Sequence, residues 1–226
     1  MLPPAIGLLS AILKDRGHIV ELFDTTYYES TDDSKVVRGD SDSLKTDKLM
    51  ARPYNMPIEI TLKRTNVFDD FKQEVEAFGP DLLAMSCTED MFLLGIRLLG
   101  KVREHKIPTI LGGVFATFAP DLALSYPEID IICKGEGEVA LPELCRRLER
   151  GLPYDDISNL WVKGRDGAIT KNPIEIVDVK FGIQANMLGI IVFYIVSPVH
   201  VRNVQLLAPQ LGSWKLRIVY EEPVYG

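Results

Sequence analysis

The fold of this protein is decided by residues 79–88, which read Gly-Pro-Asp-Leu-Leu-Ala-Met-Ser-Cys-Thr. The Gly79-Pro80 pair is typical of a helix end, and the apolar run that follows it stops at the polar Ser86. A short run that is apolar at every position predicts a strand buried on both faces. Strands of this kind occur in parallel sheets that helices cover on both sides.

Helical and strand patterns alternate on both sides of this segment. Helices are predicted at residues 6–16, 68–78, 91–105, 119–125 and 139–151, and strands at 18–24, 108–111 and 129–133. Residues 157–163 and 168–171 flank Gly164-Arg-Asp-Gly167, which predicts a hairpin. The alternation predicts an α/β fold with a doubly wound, mostly parallel sheet.

The composition excludes several classes of protein. Of the 226 residues, 25 are basic and 32 acidic, so the formal charge is −7, and an acidic chain without a basic run argues against nucleic acid as a partner. A hydrophobic content of 46% excludes disorder of the whole chain. The three cysteines have neither disulfide-framework nor zinc spacing, which indicates reduced thiols in the cytoplasm. The most apolar run, residues 187–196, is too short to span a membrane and predicts a buried strand.

Small residues follow three of the predicted strands. They are Ser86-Cys87-Thr88, then Gly112-Gly113-Val114-Phe115, and then Gly135-Glu136-Gly137. Ligands of doubly wound sheets bind beyond the carboxyl ends of the strands, where these three segments would meet. Glycines there allow a large flat ligand to approach the backbone, and hydroxyl groups supply hydrogen bonds. If Gly112-Gly113 is considered alone, the alternative to ligand binding is that the pair only makes a tight turn between strand and loop.

The segment Gly135-Glu-Gly-Glu-Val-Ala140 also matches the dinucleotide pattern G-x-G-x-x-A. Glu136 and Glu138 would repel a pyrophosphate, and the dinucleotide pattern normally follows the first strand. Carboxylates are also favourable at a helix N-terminus without any ligand. Helix-start chemistry, binding of a polar ligand and dinucleotide binding therefore all remain open for this segment.

Taken in order, these blocks resemble the cobalamin-binding domain of cobalamin-dependent radical SAM enzymes. The matching residues are Pro3-Pro4-Ala-Ile-Gly7, residues 13–24, Pro80-Asp-Leu-Leu-Ala-Met-Ser86, Pro108-Thr-Ile-Leu-Gly-Gly113, Gly135-Glu-Gly-Glu138, Asp166-Gly167 and Asn172-Pro173. The resemblance covers residues 1–178 and implies a flavodoxin-like fold. It implies that the nucleotide tail of cobalamin enters a slot along the sheet and the corrin lies over the strand ends. The implied contacts are Ser86, Cys87, Thr88, Gly112, Gly113, Val114, Phe115, Gly135, Glu136 and Gly137.

The sequence departs from that family in three respects. It has no Asp-x-His-x-x-Gly motif, so the resemblance implies base-off, His-off cobalamin. It has no Cys-x-x-x-Cys-x-x-Cys motif, so an iron–sulfur cluster and S-adenosylmethionine are expected only in a full-length relative or a radical SAM partner. The family's first strand is missing, and residues 179–226 form an unassigned segment, expected to be β. In that segment, residues 189–196 are expected to fill the vacant central place or to extend an edge.

The resemblance implies a cobalamin-binding module of a radical SAM enzyme, used in methyl transfer or related radical chemistry, which binds without catalysing. The alternatives are a stand-alone corrinoid carrier and, less favoured, a dinucleotide-binding oxidoreductase domain. A signalling receiver would require an aspartate at the end of the strand that finishes at Ser86. The residues there are Ser86-Cys87-Thr88, so this class is disfavoured.

Overall fold

The structure is a computed structural model that describes residues 4–26, 28, 62–175 and 191–196. Its longer helices are α1 (Pro4–Asp15), α2 (Val67–Phe78), α3 (Glu89–Val102) and α6 (Ala140–Glu149), with two short ones, α4 (Val114–Phe118) and α5 (Pro120–Leu124). The strands are β1 (Ile19–Asp24), β2 (Leu82–Ser86), β3 (Thr109–Gly112), β4 (Ile131–Cys133), β5 (Leu160–Lys163), β6 (Ile169–Lys171) and β7 (Ile191–Val196). No helix of the described part is long and apolar enough to cross a membrane.

The strands form one sheet in the order β1-β7-β2-β3-β4-β5-β6. Strands β2, β3 and β4 are parallel neighbours, whereas β7, β5 and β6 run antiparallel to the strands beside them. The predicted α/β fold is therefore confirmed, but the sheet is mixed rather than mostly parallel, since two of its six strand pairs are parallel and four are antiparallel. The predicted hairpin is also confirmed, because β5 and β6 pair from Trp161 with Lys171 to Lys163 with Ile169.

The strand β7 occupies a central place, between β1 and β2. It pairs antiparallel with both, from Ile19 opposite Val196 on one side and from Leu82 opposite Ile195 on the other. Of the two positions expected for residues 189–196, the vacant central place or an edge of the sheet, the structure shows the central place for residues 191–196. The rest of the segment 179–226, which was expected to be β, lies outside the described residues, and the domain division at 178 stays a prediction.

Each face of the sheet carries its own hydrophobic core. Leu83 and Met85 of β2 pack with α2 to α5 on one face, and Leu82 and Ala84 pack with α1 and α6 on the other. All four side chains are at most 3% exposed. β2 is thus buried on both faces of the sheet, as its unbroken apolar run predicts.

The turn between α2 and β2 has the geometry that the Gly79-Pro80 pair predicts. Gly79 has the left-handed φ of 62°, and its N–H donates to the Val75 carbonyl at 2.9 Å. At the other end of α2, the Asn66 side chain accepts hydrogen bonds from the N–H groups of Phe68 and Asp69. These two caps fix the length of α2 and therefore the point at which β2 begins.

Candidate functional site

A cleft opens at the carboxyl edge of the sheet, between α1 and the strand ends of β2, β3 and β4. It has a volume of about 200 Å³. Six of the residues predicted to bind the ligand line it: Ser86, Gly112, Gly113, Gly135, Glu136 and Gly137. The structure therefore brings together all three of the small-residue segments that the sequence places at this edge.

The other four predicted residues do not line the cleft. The side chains of Cys87 and Phe115 are buried in the core on the opposite face, where the Phe115 ring lies 4.4 Å from that of Phe92. Thr88 is the N-cap of α3, and Val114 begins α4 with its side chain 63% exposed. A residue at a strand end points to one face or the other, so adjacent residues of one segment separate.

Gly112, the last residue of β3, and Gly113, which follows it, contribute in different ways. Gly113 has a φ of 90°, and a Cβ added there would lie 2.7 Å from Ser86 Oγ. Gly112 has no such constraint, because the nearest atom to an added Cβ would be Cys133 Cβ at 3.9 Å. The tight-turn interpretation therefore applies to Gly113, whereas Gly112 leaves open space at the cleft.

Two hydrogen bonds of Thr117 join the loops on either side of the cleft mouth. Its hydroxyl donates to the Gly113 carbonyl at 3.0 Å and accepts from the Gly135 N–H at 3.2 Å. The loops that follow β3 and β4 are thereby held at a fixed separation. The cleft is preorganised rather than dependent on a ligand to bring its sides together.

Asn159 is a buried residue that supports the site and that sequence reasoning missed. Its Nδ2 donates to the Glu136 carbonyl at 3.0 Å, and its Oδ1 accepts from the Glu175 N–H at 2.6 Å. The residue is 3% exposed and has a left-handed φ of 68°. In a sequence, an asparagine at this position indicates a turn. It does not indicate a contact with Glu136, which lies 23 residues earlier in the chain.

The wall of the cleft is largely apolar and includes residues outside the ten predicted contacts. Ile6 and Leu9 of α1 and Leu141 of α6 line it, together with Cys133 and Glu138. Burial and the nearby Glu138 charge raise the pKa of the Cys133 thiol to about 12, so this cysteine is an uncharged wall group. The described histidines, His18 and His105, do not line the cleft.

The size of the cleft limits which part of a ligand it can hold. An apolar cavity of about 150 Å³ accommodates benzene, so about 200 Å³ is suitable for a small fused aromatic ring. Sites that enclose a whole drug-sized molecule have about 300–1,000 Å³. A larger ligand would therefore insert one end between the glycines and apolar wall and leave the remainder over the strand ends.

Residues 51–145 match the family model of the B12 binding domain. A curated relative, cytidylyl-2-hydroxyethylphosphonate methyltransferase of Streptomyces wedmorensis, is 24% identical over 174 residues, which are 76% of this chain and 29% of that protein. An uncharacterized methyltransferase of Pyrococcus horikoshii is 27% identical over 109 residues, 47% of this chain and 24% of its own length. The chain thus spans less than a third of each of these two relatives.

Two solved structures are similar over part of the chain. The radical S-adenosylmethionine methyltransferase TsrM of Kitasatospora setae, with cobalamin and a [4Fe-4S] cluster bound, has a TM-score of 0.49 and 17% identity, covering 82% of this chain and 28% of TsrM. The cobalamin-dependent S-adenosylmethionine radical enzyme OxsB, with aqua-cobalamin bound, has a TM-score of 0.43 and 22% identity, covering 49% of this chain and 16% of OxsB.

Proposed function

We propose, from the B12 binding domain that residues 51–145 match, that this protein binds cobalamin in the cleft at the carboxyl edge of the sheet. The observation that carries the proposal is the position of that cleft. All six predicted residues that line it belong to the matched segment, and they surround the ends of three adjacent parallel strands. The family match and the geometry therefore converge on one site.

The cleft fits one end of cobalamin better than the whole molecule. Its volume of about 200 Å³ suits the benzimidazole of the nucleotide tail, and Ile6, Leu9 and Leu141 supply apolar contacts for that ring. The corrin is too large for this space and would lie over the glycines at the mouth. Gly112 and Gly135 present backbone there without side chains in the path of a flat macrocycle.

The cobalamin is proposed to bind base-off and His-off. The nucleotide base cannot both occupy the cleft and coordinate the cobalt, which supports the base-off form. No histidine of the described part lines the cleft, and the sequence lacks the Asp-x-His-x-x-Gly motif, which supports the His-off form. A visible spectrum of imidazole-ligated cobalt would contradict this arrangement.

The whole protein is proposed to act in methyl transfer or related radical chemistry. When bound, cobalamin supplies a cobalt ion that can carry a methyl group, and both curated relatives are methyltransferases by name. The residues of this chain bind the cofactor, orient it and exclude water from the tail. An iron–sulfur cluster and S-adenosylmethionine would be held by a radical SAM domain or partner, because the Cys-x-x-x-Cys-x-x-Cys motif is absent from these 226 residues.

A reducing compartment such as the cytoplasm is proposed from the cysteines. Cys87, Cys133 and Cys145 are free and buried, and burial raises the pKa of each thiol to about 12. Buried free thiols of this kind are usual in proteins that keep their cysteines reduced.

Titration with hydroxocobalamin, followed by the visible spectrum, tests the proposal. The wild-type protein should show saturable binding, and Gly112→Val should weaken it at least about tenfold by filling the cleft with a branched side chain. Gly100→Ala is the matched control, because an added Cβ in this helix would have ordinary contact at 3.7 Å with Glu128. Circular dichroism checks that all three proteins fold.

Two results would contradict the proposal. One is a wild-type protein that binds no hydroxocobalamin, and the other is a folded Gly112→Val variant that binds it as tightly as the wild type. Equal loss in Gly112→Val and Gly100→Ala would likewise count against the cleft, since Gly100 lies within α3.

A further inference from the structure

Glu138 lines the cleft, and one of its carboxylate oxygens lacks a hydrogen bond within the described residues. The residue immediately precedes Val139, the N-cap of α6, and lines the cleft beside Leu141. Its Oε2 is buried and has no hydrogen-bond partner among the residues that the structure describes. Glu136, two residues earlier, also lines the cleft but is exposed to solvent.

An oxygen in this state is costly for the fold. A buried acceptor without a partner destabilises the folded state, and a charged one does so more strongly. The N-terminus of α6 offsets part of the cost through its dipole but supplies no hydrogen bond to Oε2. None of the ion pairs within the described ranges includes Glu138.

The surroundings of Glu138 limit which groups could donate a hydrogen bond to Oε2. An ionised carboxylate only accepts hydrogen bonds, so the missing partner must be an N–H or O–H group. The neighbouring Cys133 thiol makes a long contact of 3.7 Å with the Glu136 carbonyl. Glu138 also lines an adjacent pocket with Arg16, Arg146 and Arg150, but Oε2 makes no hydrogen bond to any of them. A ligand that enters the cleft can supply the missing donor.

We propose that Glu138 accepts a hydrogen bond from a hydroxyl or amide group of the cobalamin tail and so selects corrinoids that carry the nucleotide. This inference rests on the proposed function and adds to it the orientation of the tail. The ribose of the tail carries hydroxyl donors, which suit Glu138. Its phosphate is anionic and is repelled by the carboxylate, so it lies toward the open mouth, away from Glu138.

The experiment compares hydroxocobalamin with cobinamide, which has the corrin but no nucleotide tail. Glu138→Ala should weaken hydroxocobalamin binding about ten- to hundredfold, the usual effect of losing a hydrogen bond to a charged group. Cobinamide binding should be the same in the variant and the wild type. Glu138→Gln keeps an oxygen acceptor with nearly the same shape and should retain part of the affinity, and it replaces Glu138→Ala if that variant does not fold.

Glu104→Ala is the matched control for loss of a carboxylate. Glu104 is 64% exposed and precedes β3, so it lies at the amino ends of the parallel strands, away from the cleft. It should bind both corrinoids as the wild type does. Equal affinities of Glu138→Ala and wild type for hydroxocobalamin would overturn the inference, and so would an equal loss for the two corrinoids. A wild-type protein that binds no hydroxocobalamin would overturn the proposed function itself, and this inference with it.

Discussion

Gly112 and Gly113 are neighbours in the sequence, but different physical constraints act on them. At Gly113 the backbone has a left-handed φ of 90°, and a Cβ added there would lie 2.7 Å from Ser86 Oγ. At Gly112 an added Cβ would have only an ordinary contact, with Cys133 Cβ at 3.9 Å. A change at Gly113 therefore affects the fold first, whereas a change at Gly112 affects ligand binding first.

Gly113→Ala should destabilise the protein more than Gly79→Ala does. Both residues have a left-handed φ, which costs about 1 kcal/mol or more for alanine. Only Gly113 adds a contact of 2.7 Å with Ser86 Oγ, whereas nothing lies within 4 Å of a Cβ at Gly79. Urea unfolding of the two variants measures the difference in free energy of unfolding. The steric account is wrong if Gly79→Ala is the more damaging change, or if Ser86→Ala in the same chain restores none of the stability lost in Gly113→Ala.

At the scale of elements, β7 is the strand whose place is least determined by its neighbours in the chain. Its partners β1 and β2 lie more than 100 residues away in sequence. It pairs with β1 over residues 191–196 and with β2 over residues 191–195. A strand that is hydrogen-bonded on both sides joins the two parts of the sheet. Without β7, β1 would have no hydrogen-bonded neighbour in the described sheet.

Ile195→Ala in β7 should cost about 2–4 kcal/mol of unfolding free energy. The side chain is 2% exposed and packs in the core on the α1 and α6 face. Ile169→Ala in the edge strand β6 is the matched control and should cost about 0.5 kcal/mol or less, because Ile169 is 37% exposed. Denaturant unfolding monitored by circular dichroism provides both values. Equal effects of the two substitutions would mean that β7 does not hold this central place.

At the scale of the whole molecule, one charged cluster joins α6 to the loop before β5. Glu143 accepts hydrogen bonds from Arg146 and Arg147, and Arg147 also pairs with Asp156 and donates to the Pro153 carbonyl. The hydrogen bonds from Arg146, and then those from Arg147, lower the pKa of Glu143 from 4.5 to about 2. Folding therefore favours the ionised form of Glu143.

This cluster predicts a component of acid sensitivity. Because the folded pKa is below the unfolded one, the stabilisation is complete above pH 4.5 and is lost as the pH falls toward about 2. Glu143→Gln should be less stable than the wild type near neutral pH and equal to it near pH 2. Urea unfolding across this pH range tests the prediction, with Glu149→Gln on the same helix as control. A constant difference between wild type and Glu143→Gln at every pH would contradict it.

The sequence alone was sufficient to predict the helix and sheet layers of the fold and six of the residues that line the cleft. The unbroken apolar run of β2, the cap at Gly79 and the small residues after three strands are local patterns, because they reflect burial and backbone geometry of consecutive residues. Six of the ten predicted contacts line the cleft, since strand order brings the ends of β2, β3 and β4 together. The apolar run of residues 191–196 predicted a buried strand but left open whether it would fill the central place or extend an edge.

Only the tertiary structure decided which side chains face the cleft and what supports them. Cys87 and Phe115 separate from their neighbours because they point to the opposite face of the sheet. The contact of Asn159 with the Glu136 carbonyl and the wall formed by Ile6 and Leu9 join residues far apart in the chain. Such contacts depend on how helices and loops pack over the sheet, and this packing leaves no periodic signal in the sequence.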